Sequence, residues 1–315
     1  MRNARLALPL LALLLALPLG GCKLPYQILS KLVAPKATPT PTPIPAQPVA
    51  AEFSQVEDER VAGDSGLPRT TVTVTLPGTK ESEVAAMRVV TTKVVDDLGT
   101  SLVPERVNEA QFESVTSRGG DGGEAAPPLS VTVPMKPAPR KAKVLKEVSA
   151  DVELYMPSRD PAALVTVPKF LGEAGKPIVH PVLQAAGVEI TVLSKEQIEA
   201  ERKVYGEKKR AEAKQMGVEG EFLETTVKFA VESFLSDSWV KVWMKVKDPK
   251  NAVFDYAYVS PTGEVQGTNK SGEEGYVGLT GQGEEAGPEH GLQVQLRTPK
   301  TFARYSFTVK DVALP

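Results

Sequence analysis

Thr71-Val72-Thr73-Val74-Thr75-Leu76, closed by Pro77-Gly78, is the stretch that decides the fold class. Threonine alternates with an aliphatic residue at period 2. That puts Val72, Val74 and Leu76 on one face of a strand and the threonines on the other. Pro77-Gly78 then supplies a turn. The pattern recurs nearby. Met87 to Val95 is rich in β-branched residues and ends in the turn Asp96-Asp97-Leu98-Gly99. Phe112 to Thr116 reads as a short strand, and Arg118 to Gly123 as a glycine-rich loop. Leu129-Ser130-Val131-Thr132-Val133 alternates again, and Val144 to Met156 reads as one bent strand or two short ones. Short strands at this spacing predict an all-β body of one or two β-sandwich (Ig-like) modules.

Further along, Ala163 to Phe170 and Val188 to Leu193 read as strands, with a helical turn at Val182 to Ala186 before Gly187. Ser194 to Met216 is the one strong helix. Ser194 and Gln197 form a capping box, Gly217 stops it, and Glu199 to Lys203 is a well-oriented i,i+4 pair. Its apolar set is thin (Ile198, Val204, Tyr205, Met216), and Gly206 costs about 1 kcal/mol against Ala. This predicts a charged surface helix. Strands are expected again over Thr225 to Leu235, Trp239 to Val246 and Ala252 to Ser260. Pro261-Thr262-Gly263 turns into Glu264 to Gly267. A Gly/Glu-rich excursion fills 268–290, and strands close the chain at Leu292 to Arg297 and Arg304 to Val309. An internal echo is present. Leu129-x-Val131-x-Val133, then Pro139 and Val144 to Leu154, resembles Leu292-x-Val294-x-Leu296, then Pro299 and Tyr305 to Leu314. On that basis two modules are expected, 69–157 and 158–315, with helix 194–216 in the second.

Ahead of the first strand lies a different composition. Lys36 to Pro48 alternates proline with threonine, which favours extended polyproline II at roughly 3.1 Å per residue. Residues 51–68 are acidic and poor in apolar side chains. The stretch 22–68 is expected to be a disordered tether. Before it, Met1 to Arg5 carries Arg2 and Arg5, Leu6 to Leu19 is Leu, Ala and Pro, and small residues follow. That is a secretory signal peptide, 1–21. The apolar run is shorter than the roughly 20 residues a membrane span needs.

Leu19-Gly20-Gly21-Cys22 resembles the lipobox of bacterial lipoprotein precursors, over residues 1–22 alone. The resemblance implies cleavage between Gly21 and Cys22, thioether lipidation of Cys22 and acylation of the new amino terminus. One acyl chain binds marginally and two or more hold firmly. The partner implied is the lipid bilayer, and Lys23 in place of Asp favours the outer membrane over the plasma membrane. Cys22 is the single cysteine, so the exported body has no intramolecular disulfide and must hold by packing. With 6% aromatic residues, that packing is expected to be aliphatic.

A formal net charge of −2 points no strong field at nucleic acid, and acids interleave the bases of the helix, so no nucleic-acid partner is expected. Gly63-Asp64-Ser65-Gly66-Leu67-Pro68 resembles the nucleophile segment of chymotrypsin-like proteases. The histidine and aspartate those enzymes carry earlier in the chain are missing, and a flexible linker is the plainer reading. Gly281-Gln282-Gly283-Glu284-Glu285 resembles a fragment of a phosphate loop, but two carboxylates would repel a phosphate. His180 and His290 are isolated, which gives no zinc set. Asp96, Asp97 and Asp121 lack EF-type spacing and read as turn residues. No catalytic residue, metal or cofactor is expected, and the body is read as not an enzyme.

One stretch points to binding. In Trp239-Val240-Lys241-Val242-Trp243-Met244-Lys245-Val246-Lys247 the aliphatic residues share one face. Trp239, Lys241, Trp243, Lys245 and Lys247 share the other. If Phe254, Tyr256 and Tyr258 on a neighbouring strand point the same way, an exposed aromatic platform results, suited to a protein or glycan partner. The plainer alternative is that the helix or a loop covers the tryptophans. The function expected is an anchored, non-catalytic binding or scaffolding body. A structural subunit of an envelope assembly, or a hydrolase with an unrecognised site, are the alternatives.

Overall fold

The computed structural model describes residues 45–59, 69–106, 110–115, 127–236, 240, 242–266, 268–273, 275–281 and 287–315. Its elements run β1 (Gln47–Pro48), β2 (Glu52–Glu59), β3 (Arg69–Lys80), β4 (Ala86–Asp96), β5 (Glu113–Ser114), β6 (Pro128–Met135), β7 (Val144–Tyr155) and β8 (Leu164–Val167). Then come α1 (Pro181–Ala186), β9 (Glu189–Val192), α2 (Lys195–Gln215), α3 (Gly220–Ser233), β10 (Val242–Lys247), β11 (Val253–Val259) and β12 (Val265–Gln266). The last four strands are β13 (Thr268–Glu273), β14 (Tyr276–Gly281), β15 (Gly291–Leu296) and β16 (Phe302–Ala313). The chain is mostly β. Its described residues divide into a larger unit, which takes in the chain to Arg202 and again Ser233–Pro315, and a smaller one, Lys203–Glu232.

The larger unit holds two aliphatic cores. The first draws on a sheet ordered β1-β16-β7-β4-β5 and a sheet ordered β2-β3-β6. Val72, Val74 and Leu76 are buried there, as the alternation of β3 requires, with Leu129, Val131 and Val133 of β6 beside them. From the other sheet come Leu145, Val148, Val152 and Leu154 of β7 and Phe307 and Val309 of β16.

Two expectations are corrected here. Residues 47–48 and 52–59 are not tether: β1 pairs parallel with β16 at Gln47↔Tyr305 and Pro48↔Ser306, and β2 pairs antiparallel with β3 from Glu52↔Thr75 to Glu59↔Arg69. It is an edge strand whose side chains are mostly exposed, with Val56 packed on the core. A strand with so little to bury leaves no hydrophobic alternation to read. Second, 158–315 is not a separate module. β16 pairs antiparallel with β7 from Phe302↔Tyr155 to Ala313↔Val144. The later halves of the two echoed runs are therefore neighbours in one sheet.

The second core lies with two four-stranded sheets, β13-β14-β10-β9 and β12-β11-β15-β8. Ile190, Val192, Val242, Met244 and Leu279 come from the first, and Val165, Tyr256, Tyr258, Leu292 and Val294 from the second. The excursion over 268–290 contains the antiparallel pair β13 and β14, joined around Gly275 at φ +79°, where glycine avoids the penalty of a positive φ. α1 occupies the single helical turn expected before Gly187, whose φ of +77° makes it a left-handed C-cap.

The expected capping box opens α2: Gln197 N donates to Ser194 Oγ at 3.3 Å and Ser194 N donates to Gln197 Oε1 at 3.1 Å. The strand expected over Thr225 to Leu235 is helix α3 instead. Within the smaller unit, Leu223 and Val227 of α3 pack with Ala213 of α2, and with Val218 and Val231. A Cβ at Gly206 would sit 2.8 Å from Val231 Cγ2, so this mid-helix glycine is the close-approach point of the hairpin.

Candidate functional site

β10 places the residues of the expected binding face. Its alternation holds: Val242 and Met244 are buried in the second core, while Lys245 and Lys247 are exposed. Trp239 and Lys241 lie outside the described residues, as do Gly21 and Cys22.

The aromatic platform does not form at Trp243, Tyr256 and Tyr258. Trp243 is 5% exposed, its Nε1–H donating to Ser236 O at 3.1 Å. Its cross-strand partner is Gly278 of β14, and the indole fills the space that a side chain there would take. Tyr256 and Tyr258 are not on a neighbouring strand, because β10 pairs with β9 and β14 while β11 pairs with β12 and β15. A register shift between Val253 and Asp255 turns Tyr256 and Tyr258 into the core with Val253 and leaves Phe254 on the other side. Tyr258 OH donates to Leu279 O at 3.2 Å, and burial pushes both phenols well above the ordinary tyrosine range.

What does collect on the outward side of β10 is a small polar constellation. Lys245 Nζ and the Tyr276 hydroxyl both donate to Glu201 in the second turn of α2, the latter at 2.7 Å. Burial alone would raise the Glu201 carboxyl, but the hydrogen bonds from Lys245 and Tyr276 and the charge of Lys245 outweigh it and hold the group below the usual carboxylate range. Tyr276, partly buried and facing that carboxylate, is pushed up. Phe234 meets the Tyr276 ring edge-on at 5.3 Å.

Beside this trio lies an open cleft of about 290 Å³, lined by Gly175, Pro177, Thr191, Gln197, Glu201 and Lys245 among others. Glu201 and Lys245, its two charged lining residues, pair with one another, so the cleft offers a dipolar rim. Half of this site is legible in the sequence. Strand alternation exposes Lys245, whereas Glu201 and Tyr276 carry no local signal and meet only through the docking of the first turns of α2 on β10.

The histidines and aspartates occupy caps and turns. His180 Nδ1 accepts from Val182 N at 3.3 Å and caps α1, and His290 Nδ1 accepts from Gly287 N at 3.0 Å. Asp96 Oδ1 accepts from Leu98 N and Thr100 N at 2.9 and 2.7 Å. Asp97 accepts from Lys143 N. Among the described residues, no group of three or more His, Cys, Asp or Glu side chains could hold a metal ion, and no helix is long and apolar enough to cross a membrane. Ser65, Asp121 and residues 282–285 of the glycine-rich fragment lie outside the described residues. Comparison with protein-family models, with curated proteins and with solved structures found no match to this chain.

Proposed function

We propose that the chain is an exported lipoprotein, anchored in the cell envelope through lipid on Cys22, with a non-catalytic body that binds or scaffolds a protein or glycan partner. The outer membrane is favoured over the plasma membrane by Lys23. The observation that carries this reading is Leu19-Gly20-Gly21-Cys22: the one thiol of the chain stands directly after a charged and then apolar leader. The Pro/Thr-rich run from Lys36 up to β1 supports it, being suited to a stiff spacer between bilayer and body. An aliphatic body without disulfides agrees with one exported on packing alone. Two sheets contributing to one core is the arrangement of a β-sandwich, and we take the first core as an Ig-like sandwich. The matched charges around Glu201 favour binding or scaffolding over catalysis.

Cys22→Ser tests the anchor. The variant should leave the membrane fraction for the soluble one, and its intact mass should lack lipid. A variant that still sediments with membranes, or native protein with its leader uncut and residue 22 unmodified, would overturn the reading.

A further inference from the structure

The aromatic surface absent from β10 is present where the two cores of the larger unit meet. Phe112, Phe254 and Phe302 are half-buried there, with Phe112 edge-on to the other two at 5.2 and 5.9 Å. Two arginines lie over these rings, as the negative face of an aromatic favours. Cζ of Arg88 stands 5.1 Å from the centre of Phe112. Cζ of Arg297 stands 4.9 Å from the centre of Phe254 and 5.6 Å from that of Phe302.

The two cations differ in what neutralises them. Arg88 is paired, its Nε donating to Glu153 Oε2 at 3.1 Å. Among the described residues the Arg297 guanidinium makes one hydrogen bond, a long one from Nε to Val253 O at 3.4 Å. Its two Nη groups have no partner there, and neither is shut off from solvent. The carboxylates that act on Arg297 from further off are taken. Asp248 accepts from Ala252 N and Val253 N at 2.7 and 2.8 Å, and Glu153 holds Arg88. Burial, above all, pulls the Arg297 guanidinium below its ordinary value, and the charge of Arg88 pulls the same way. A half-buried fork of donors, fixed over two rings, is thus left open.

We propose that the Nη fork of Arg297 binds one carboxylate side chain, Asp or Glu, of an acidic protein partner. The planar fork matches a carboxylate with two parallel hydrogen bonds. One unpaired guanidinium balances one negative charge, whereas a phosphate brings about −1.5 to −2. A glycan is disfavoured because Tyr155 stacks on Phe254 at 3.7 Å while Arg297 lies over the same ring, so no open face remains on it for a sugar. The site shares no residue with the cleft at Glu201. It deepens the binding reading above and rests on it; the anchor, tested by Cys22→Ser, stands or falls separately.

The test is a chemical-shift titration of the ¹⁵N-labelled full chain, read at the Arg297 Nε–H and at the Phe302 amide. The probe is N-acetylglutamate α-amide, with N-acetylglutamine α-amide as its neutral match. The glutamate probe should shift both signals saturably and the glutamine probe should not. This comparison is made on the parent chain and needs no variant to fold. Arg297→Lys keeps the charge and loses the fork, so binding read at the Phe302 amide should weaken about tenfold. The two probes acting alike, no saturable shift at Arg297, or equal affinity in Arg297→Lys would each overturn the proposal. Glucuronate or inorganic phosphate saturating the same signals at lower concentration than the glutamate probe would overturn the assignment to a protein carboxylate.

Discussion

At Gly278 the missing side chain is what lets Trp243 lie inside. A Cβ there would stand 2.6 Å from Val240 Cγ1 and 2.9 Å from Trp243 Cζ3, closer than packed atoms tolerate. Gly278→Ala should therefore destabilise by about 1–3 kcal/mol, the range for overpacking a filled core. The measurements are the urea midpoint, expected to fall, and the tryptophan emission, expected to shift red as the indole is displaced. An unchanged midpoint would mean that the strand pair absorbs the methyl without moving Trp243. Strand alternation by itself places Trp243 on the face opposite Met244. Which of the two faces is covered is not legible there, since that depends on a glycine thirty-five positions on and on a carbonyl at Ser236.

At the scale of elements, α3 shows how two periods compete in one stretch. Thr225-Thr226-Val227-Lys228-Phe229-Ala230-Val231 is rich in β formers, yet Leu223, Val227 and Val231 also recur every four residues. The helix prevails because burial of Leu223 and Val227 on Ala213 rewards the 3.6 period, and tertiary packing overrides a weak local preference. The turn at Phe234 and Leu235 is held by Arg202, whose Nε and Nη2 donate to Phe234 O and Leu235 O at 3.1 and 2.9 Å. The guanidinium thereby satisfies two backbone carbonyls of a turn, where no ladder partner exists. Arg202→Ala should cost about 1.5–3 kcal/mol, as for hydrogen bonds to a charged group. It should also speed amide hydrogen exchange over the turn at Phe234 and Leu235 more than over β7. Uniform protection in the variant would show that Arg202 does not hold that turn. β2, by contrast, leaves no trace in the sequence, because an edge strand with mostly exposed side chains needs no hydrophobic period.

For the molecule as a whole, the two cores of the larger unit meet at Tyr155. Its ring stacks on Phe254 of β11 at 3.7 Å, and Phe302 lies 5.2 Å away. Its hydroxyl donates to Leu296 O of β15 at 3.1 Å. Tyr155 thus ends β7 in the first core while holding two strands of the second. Tyr155→Phe should cost about 1 kcal/mol by losing one buried bond while keeping the stack. Tyr155→Ala should cost about 3–5 kcal/mol and split thermal unfolding into two transitions, one per core. A single transition in the alanine variant would show that the cores are coupled elsewhere. The residue sequence determined the strands with one buried face and the capped helix α2, because each is written in local period or local chemistry. Tertiary structure alone decided that β16 returns to β7, that β11 leaves the sheet of β10, and that Glu201 meets Lys245 and Tyr276. Those pairings join residues far apart in the chain, and their energy comes from surface that exists only once both partners have folded.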